Sequence, residues 1–182
     1  ALKQHGGIAL EDLKEENVEA MLAGCENLAK HIDTVQQFGL PYIVAINEFA
    51  TDTPAEVAAL EKWCEENNHP MSLSQVWAKG GEGGIELAKA ILRTLENKES
   101  HYKPLYTYED TTIEEKIQTI ATKIYGADKV VYTAAAARQK KRLTELGYGH
   151  LPICMAKNQY SLSDDPKKLG RPEGFDITIR EI

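Results

Sequence analysis

The sequence predicts an α/β protein with a parallel sheet and a second, smaller α/β subdomain. Over the first hundred residues, segments with helical periodicity alternate with short apolar segments, which is typical of layered α/β folds. Residues 40–46, LPYIVAI, form a nearly continuous apolar run rich in β-branched side chains, as expected of a strand buried on both faces of a parallel sheet. We place the boundary between a first domain, residues 1–100, and the subdomain, residues 101–182, in the polar, tyrosine-rich stretch 97–110.

Helices are predicted where apolar residues recur at helical spacing beside capping signals. Residues 15–38 carry an apolar stripe at that spacing. Residues 53–56, TPAE, have the form of a capping box with proline at the first helical position, and residues 111–114, TTIE, are a second candidate. Further helices are expected over residues 85–95, 113–124 and 134–146.

Four more segments have the composition of strands. They are residues 71–77, 129–132, 151–156 and 175–182, the last alternating in polarity like a half-exposed strand. A glycine-rich loop, residues 79–84, follows the first of them and precedes a helix.

Composition excludes several classes of function. A net charge of −7 over 182 residues and a pI near 5.3 argue against binding to nucleic acid or to an acidic membrane surface. No apolar run approaches the roughly 20 residues that span a bilayer, and no signal peptide opens the chain, so we expect a cytoplasmic protein. No pair among Cys25, Cys64 and Cys154 has the C-x-x-C spacing of a zinc or redox site, and all three are expected to be buried, reduced thiols.

Two aromatic residues lie at the carboxyl ends of predicted strands. Phe49 lies in the polar segment after residues 40–46, and Trp77 precedes the glycines of residues 79–84. Ligands of parallel α/β folds bind beyond the carboxyl ends of strands, and two aromatic faces there would hold a planar heterocycle such as a pterin. The prediction requires the two strands to be neighbours in the sheet. Alternatively, Phe49 folds back as a cap on the next helix, and the glycine loop is a flexible turn.

A third polar stretch, residues 149–166, ends in Asp164-Asp165-Pro166, which favours a turn. We interpret Cys154 as a core residue, His150 as structural and Lys157 as a solvated lysine. The basic residues of the 134–146 helix, Arg138, Lys140, Lys141 and Arg142, are expected on its solvated face. No residue of the chain is assigned a catalytic or metal-binding role.

Several of these segments resemble signatures of the formate–tetrahydrofolate ligase family. They are residues 1–7 (ALKQHGG), 45–53 (AINEFATDT), 76–84 (VWAKGGEGG) and 151–166, continued by LGRP at 169–172. The resemblance covers essentially the whole chain. It implies a P-loop-NTPase-like parallel-sheet layer in which Phe49 and Trp77 sandwich the folate and Leu73 lines the same pocket.

The resemblance also implies an ATP-dependent ligase that uses Mg²⁺. Formate would be activated as formyl phosphate, and the formyl group would pass to N10 of tetrahydrofolate. No Walker A pattern, G-x-x-x-x-G-K-[ST], occurs in the 182 residues. We therefore expect an internal piece of a longer, homotetrameric enzyme that supplies folate-binding residues, holds no ATP or Mg²⁺ tightly and is inactive alone.

Two other functions remain open from the residues. Residues 41–47, PYIVAIN, resemble the strand that leads into the N-K-x-D motif of P-loop GTPases, but Glu48 and Ala50 replace the lysine and the aspartate. The third possibility is a non-catalytic α/β interaction module, which would bind no ligand at either aromatic loop.

Overall fold

The computed structural model describes residues 1–156 and 160–182, which form two compact units, residues 1–102 and 103–182. Both units are mixed α/β, and each contains one two-stranded parallel sheet. The predicted α/β class with parallel strand pairing is confirmed. The P-loop-NTPase-like layer stays a prediction, as do the roles assigned to domains 1–100 and 101–182. No helix in the described ranges is long and apolar enough to cross a membrane.

The first unit contains five helices and two strands among its described elements. In chain order they are α1 (Leu2–His5), α2 (Val18–Gln37), β1 (Val44–Asn47), α3 (Pro54–Glu66), β2 (Met71–Ser74), α4 (Val76–Lys79) and α5 (Ile85–Asn97), with 3₁₀ turns at Leu10–Asp12 and Gly80–Gly84. The predicted capping box at α3 is confirmed, because the Thr53 hydroxyl accepts from the Glu56 N–H and the Glu56 carboxylate accepts from the Thr53 N–H.

Strands β1 and β2 lie in parallel, with Val44 opposite Met71 and Asn47 opposite Ser74. One face of this sheet joins a core formed with α2 and α3. Its buried members are Met21, Cys25, Ile32, Val44, Ile46, Leu60 and Cys64. On the other face Ser72 and Ser74 are buried, but Ala45 and Asn47 are exposed. The prediction of a strand buried on both faces is therefore wrong for β1, whose residues alternate between buried and exposed.

The predicted strand 71–77 ends three residues early, at Ser74. The chain turns at Gln75, whose N–H donates to the Gly83 carbonyl at 3.0 Å and whose carbonyl accepts from the Lys79 N–H at 2.9 Å. These bonds form α4, so Val76 and Trp77 lie on a helical turn instead of in the strand.

The second unit contains α6 (Ile113–Ile120), β3 (Lys129–Tyr132), α7 (Ala134–Glu145) and β4 (Asp176–Ile179), with a π-helical turn at Ala121–Tyr125 and a 3₁₀ turn at Tyr148–His150. Strand β3 lies parallel to β4. The capping box of α6 is one residue later than predicted and joins Thr112 to Glu115. Thr111 instead donates its hydroxyl to the Thr107 carbonyl, and Glu114 pairs with Lys140.

The predicted strand 151–156 is absent from the described structure, because side chains take the backbone bonds that a neighbouring strand would make. The ammonium of Lys116 donates to three backbone carbonyls, those of Tyr108 at 2.7 Å, Gly149 at 2.8 Å and Leu151 at 3.0 Å. Two residues further on, the Ile153 N–H donates to the Tyr106 hydroxyl at 3.0 Å. Lys116 is fully buried on α6. Its bond to the Leu151 carbonyl connects the start of the 151–156 segment to that helix, and no strand pairs with the segment in the described part of the chain.

The cysteines divide between the two units. Cys25 and Cys64 are buried free thiols in the first core, as predicted. Cys154 is exposed, so its interpretation as a core residue is wrong. The error follows from the strand prediction, because a residue placed in an apolar strand was expected to face inward. The last strand is also shorter than the predicted 175–182, since the Ile182 N–H donates to the Gln139 side chain instead of continuing the sheet.

Candidate functional site

The two aromatic loops start at the same edge of the first sheet. Asn47 and Ser74 are the last paired residues of β1 and β2, and the Glu48 N–H donates to the Ser74 carbonyl at 3.0 Å one step further along. The strands are therefore parallel neighbours, which is the condition that the aromatic pair required. The carboxyl-end edge of such a sheet is where α/β folds bind ligands.

Phe49 is held at this edge by a local turn. Its N–H donates to the Asp52 carboxylate at 2.9 Å, and its carbonyl accepts from the Asp52 N–H at 2.9 Å. The turn satisfies the backbone just before the capping box of α3. The side chain of Phe49 remains 55% exposed, which argues against the alternative that it folds back as a cap on the next helix.

Trp77 lies on α4 and is 73% exposed, the largest exposure among the large hydrophobic residues that the structure describes. The segment that carries it is folded by backbone contacts. A Cβ atom at Gly83 would lie 2.3 Å from the Gln75 carbonyl oxygen, so the close approach of these two segments requires glycine there. The helical turns of residues 76–84 argue against the alternative of an open, flexible loop.

Leu73 lies opposite Ile46 in the sheet and packs as a partly buried residue against the first core. Its backbone precedes the carboxyl-end edge by one residue. The structure therefore brings Phe49 and Trp77 to one edge with exposed rings, and places Leu73 in the sheet beneath that edge. The roles of all three residues in folate binding stay predictions.

A chain of side-chain hydrogen bonds, which the sequence analysis missed, links the two loops. Gln75 donates its amide N–H to the Glu48 carboxylate at 2.5 Å, and its amide oxygen accepts from the Lys79 ammonium at 2.7 Å. Glu48 and Gln75 are the next cross-strand pair after Asn47 and Ser74. The positions of Glu48 and Gln75 in the sequence indicate this contact only once the register of β1 with β2 is known.

A cavity of about 510 Å³ in the first unit lies away from this edge. Its lining comes from one stripe of α3 and the beginning of β2, namely Ala58, Glu61, Lys62, Glu65, His69 and Met71. Met71 begins β2, whereas Trp77 follows its other end. The cavity and the aromatic edge are therefore separate features, and the functional argument concerns the edge.

The described residues do not fit a resident metal ion. Residues 1–156 and 160–182 hold no group of three or more His, Cys, Asp or Glu side chains with the arrangement of a metal site. Mg²⁺ takes oxygen ligands and is commonly held jointly by one or two carboxylates and a nucleotide's phosphates. No step of the proposed function is therefore assigned to a metal held by these residues.

The described residues of the third polar stretch, 149–156 and 160–166, form bonds within their own unit. Lys157 lies outside the described residues. The predicted turn at Asp164-Asp165-Pro166 is confirmed by the Lys168 N–H, which donates to the Asp165 carbonyl at 3.1 Å. The exposed His150 is bonded through Nδ1 to the Gly147 carbonyl at 2.8 Å.

The basic face of α7 is largely solvated, as predicted, with Arg138, Lys141 and Arg142 exposed. Lys140 is the exception. Its ammonium pairs with Glu114 and lies 4.4 Å from the centre of the Tyr132 ring, so it packs α7 against its own unit.

The chain matches the model of a known protein family. The model of the family described as formate–tetrahydrofolate ligase matches residues 1–182, the whole of the chain. Members of this family are ATP-dependent enzymes whose substrates are formate, tetrahydrofolate and ATP. The match agrees with the resemblance of the loops at Phe49 and Trp77, and it favours neither the GTPase-like protein nor the interaction module. The chain belongs to the formate–tetrahydrofolate ligase family.

Proposed function

We propose that this chain provides the tetrahydrofolate-binding face of a formate–tetrahydrofolate ligase, with Phe49 and Trp77 on either side of the pterin ring. The observation that carries the proposal is the parallel pairing of β1 with β2, which brings both exposed rings to one sheet edge. Leu73, one residue below that edge, would add apolar contact to the pocket.

Stacking supplies both affinity and orientation. An aromatic pair contributes about 0.5–1.5 kcal/mol beyond the apolar area it buries. Large aromatic side chains that are more than half exposed have most of their surface available to a ligand, and burying it against a pterin would remove that surface from water. Two rings would also fix the plane of the pterin, and with it the direction in which N10 is presented.

The activation of formate by ATP and the transfer of the formyl group need groups other than Phe49, Trp77 and Leu73. In the family reaction ATP phosphorylates formate, and the formyl group of formyl phosphate passes to N10 with release of phosphate. No Walker A pattern occurs in the 182 residues, and neither aromatic loop replaces one. We therefore expect the 182-residue chain to bind tetrahydrofolate without turning over, and the complete enzyme to act with ATP and Mg²⁺ as a homotetramer.

Tetrahydrofolate binding tests the proposal directly. The chain has two tryptophans, so Trp63→Phe leaves Trp77 as the only indole reporter. We expect tetrahydrofolate to quench its fluorescence, and calorimetry to show a Kd about ten-fold higher for Phe49→Ala and for Trp77→Ala, because each loses one stacked face.

Tyr148→Ala is the matched control, because Tyr148 is an aromatic residue of similar exposure, 50%, in the second unit. It should bind tetrahydrofolate as the unsubstituted chain does. An unchanged Kd in both Phe49→Ala and Trp77→Ala would overturn the assignment. Formate- and ATP-dependent turnover by the 182-residue chain at the rate of a complete family enzyme would overturn its proposed inactivity.

A further inference from the structure

We infer that Gln75 is a positioning residue that sets the relative placement of Phe49 and Trp77, acting through its hydrogen bonds to Glu48 and Lys79. The inference rests on the proposed function, since it concerns the same aromatic edge. It assigns to Gln75 no contact with tetrahydrofolate.

Gln75 shapes the Trp77 segment through its backbone. Its carbonyl accepts from the Ala78 N–H at 3.1 Å and from the Lys79 N–H at 2.9 Å, which begins the helical turn that carries Trp77. Its N–H donates to the Gly83 carbonyl at 3.0 Å and closes the glycine segment. The place of Trp77 therefore follows from the place of Gln75.

The side chain of Gln75 joins that segment to the other loop. Its amide donates to Glu48, the residue that immediately precedes Phe49, at 2.5 Å. Its amide oxygen accepts from the Lys79 ammonium at 2.7 Å. Each of these bonds involves a charged group, and such bonds are shorter and about twice as strong as neutral ones.

Glutamine suits this position because both partners are satisfied by one amide. The Glu48 carboxylate only accepts hydrogen bonds, and the Lys79 ammonium only donates them. An amide offers a donor and an acceptor at once. A glutamate at position 75 would place its carboxylate against that of Glu48, and an apolar residue would offer neither a donor nor an acceptor.

The side-chain bonds of Gln75 to Glu48 and Lys79 matter for binding because a stacked ligand needs the two aromatic faces at a fixed separation. Binding sites are held within about 0.5 Å of their productive geometry by supporting hydrogen bonds. The rings of Phe49 and Trp77 are more than half exposed and belong to neither of the core clusters in the described part of the chain, so we expect the bonds beneath them to contribute to their spacing.

A charge-exchange pair tests the inference. In the Trp63→Phe background, the Kd for tetrahydrofolate is measured by quenching of Trp77 for Gln75→Glu, Glu48→Gln and the double variant. We expect Gln75→Glu to raise the Kd about ten-fold, because two carboxylates then face each other. Glu48→Gln alone should raise it about two- to three-fold, since two amides can still bond.

The double variant should return to within about three-fold of the parent Kd. The new amide at position 48 would donate to the new carboxylate at position 75, and that carboxylate would accept from Lys79. Such rescue would not follow from general damage to the fold. Gln36→Glu is the matched control, because Gln36 is exposed in the same unit and its amide bonds the Tyr42 hydroxyl at 3.2 Å instead.

Two results would overturn the inference while leaving the proposed function intact. One is an unchanged Kd in Gln75→Glu. The other is a double variant no better than Gln75→Glu, with Glu48→Gln equally weak, which would mean that Glu48 itself contacts the ligand. Absence of binding by the parent protein would instead refute the proposed function. If Gln75→Glu does not fold, Gln75→Met removes both bonds at similar size and must still weaken binding about five-fold.

Discussion

Lys3 in the first unit and Lys116 in the second are both buried, but they are stabilised in different ways. Lys3 pairs with the Glu56 carboxylate at 2.9 Å and donates to the Glu15 carbonyl at 2.8 Å. Lys116 has lower exposure, 0% against 8%, and donates only to backbone carbonyls among its described bonds. The charge of Lys3 is balanced by a carboxylate, whereas the ammonium of Lys116 is solvated by carbonyl dipoles that carry no net charge.

The difference shows what each lysine contributes to its unit. The pair of Lys3 with Glu56 joins α1 to the first turn of α3, so two helices are tied through one contact. Lys116 joins α6 to the carbonyls of residues 108, 149 and 151, so it ties two separate segments of the second unit to this helix. Removing a buried charge from its partners costs free energy in both cases, but different groups are left unpaired.

Lys116→Met is expected to have the largest effect. Methionine is of similar length but leaves the carbonyls of Tyr108, Gly149 and Leu151 without the donor that they share, and an unpaired polar group that stays buried costs about 1–3 kcal/mol. Since part of the segment can relax to water, we expect the second unit to lose about 3 kcal/mol of its free energy of unfolding. Urea unfolding followed by hydrogen exchange of the amides in residues 103–182 measures this.

Lys129→Met serves as the control, because Lys129 lies in the same unit with a side chain 69% exposed beside Asp176. It should change the stability by less than about 0.5 kcal/mol. A loss below about 1 kcal/mol in Lys116→Met would show that the three carbonyls find other donors and that Lys116 does not hold these segments to α6.

Lys3→Met should cost less, about 2 kcal/mol in the first unit. It leaves the Glu56 carboxylate buried without a cation, but that carboxylate still accepts from the Asn17 N–H at 2.8 Å and from the Thr53 N–H at 3.3 Å. Urea unfolding monitored by the tryptophans, both of which lie in this unit, gives the value. The double variant Lys3→Met/Glu56→Gln should recover part of the loss, and a double variant weaker than Lys3→Met would contradict the ion-pair explanation.

The pH dependence of the first unit should give the smallest effect. Burial by itself would raise the pKa of Glu56, but hydrogen bonds from Asn17, Lys3 and Thr53 outweigh it and hold the pKa below its ordinary value of 4.5. A depressed pKa means that Glu56 stabilises the fold above its unfolded-state pKa, and that this contribution is lost as the pH falls through the folded-state pKa.

Acid unfolding of the chain and of Glu56→Gln therefore isolates this contribution. The unsubstituted first unit should lose stability more steeply below a pH of about 4.5 than the variant does. In the second unit, the pKa of Glu115 is also lowered by its bonds to Thr112, but this carboxylate is exposed and its effect should be weaker. If the unsubstituted chain and Glu56→Gln lose stability equally as the pH falls, the ionised Glu56 carboxylate does not stabilise the first unit.

Local signals in the sequence were enough where the structure depends on neighbouring residues. The capping box of α3, the existence of most helices and the presence of two strands follow from patterns a few residues long, although β1 begins four residues later than predicted and α6 ends at Ile120 instead of 124. The position of Phe49 just after its strand was predictable for the same reason, whereas Trp77, predicted as the last residue of its strand, lies on α4. Their approach to one edge was not predictable, because it depends on the pairing of segments 27 residues apart.

The errors arise where distant groups compete for the backbone or for a side chain. Residues 151–156 have strand composition, but the Leu151 carbonyl accepts from Lys116 and the Ile153 N–H donates to the Tyr106 hydroxyl, in place of bonds to a neighbouring strand. The capping box predicted at Thr111 fails because Glu114 pairs with Lys140, 26 residues away. A lysine in an otherwise amphipathic helix also gives no sign that it is fully buried, since the carbonyls it bonds come from both sides of it in the chain.

The unequal exposure of the three thiols allows the opening of the first unit to be followed chemically, with the exposed thiol of the second unit as an internal reference. Cys154 is open to alkylating reagents in the folded second unit. Cys25 and Cys64 are enclosed in the first core, and burial, together with nearby Cys64 and Glu26, raises the pKa of the Cys25 thiol to about 12, so almost no reactive thiolate exists there at neutral pH. Rapid labelling should therefore mark Cys154, and slow labelling of the other two should report the opening of the first unit. One mass-spectrometric time course would then separate the labelling of the exposed thiol from the slower opening of the first unit.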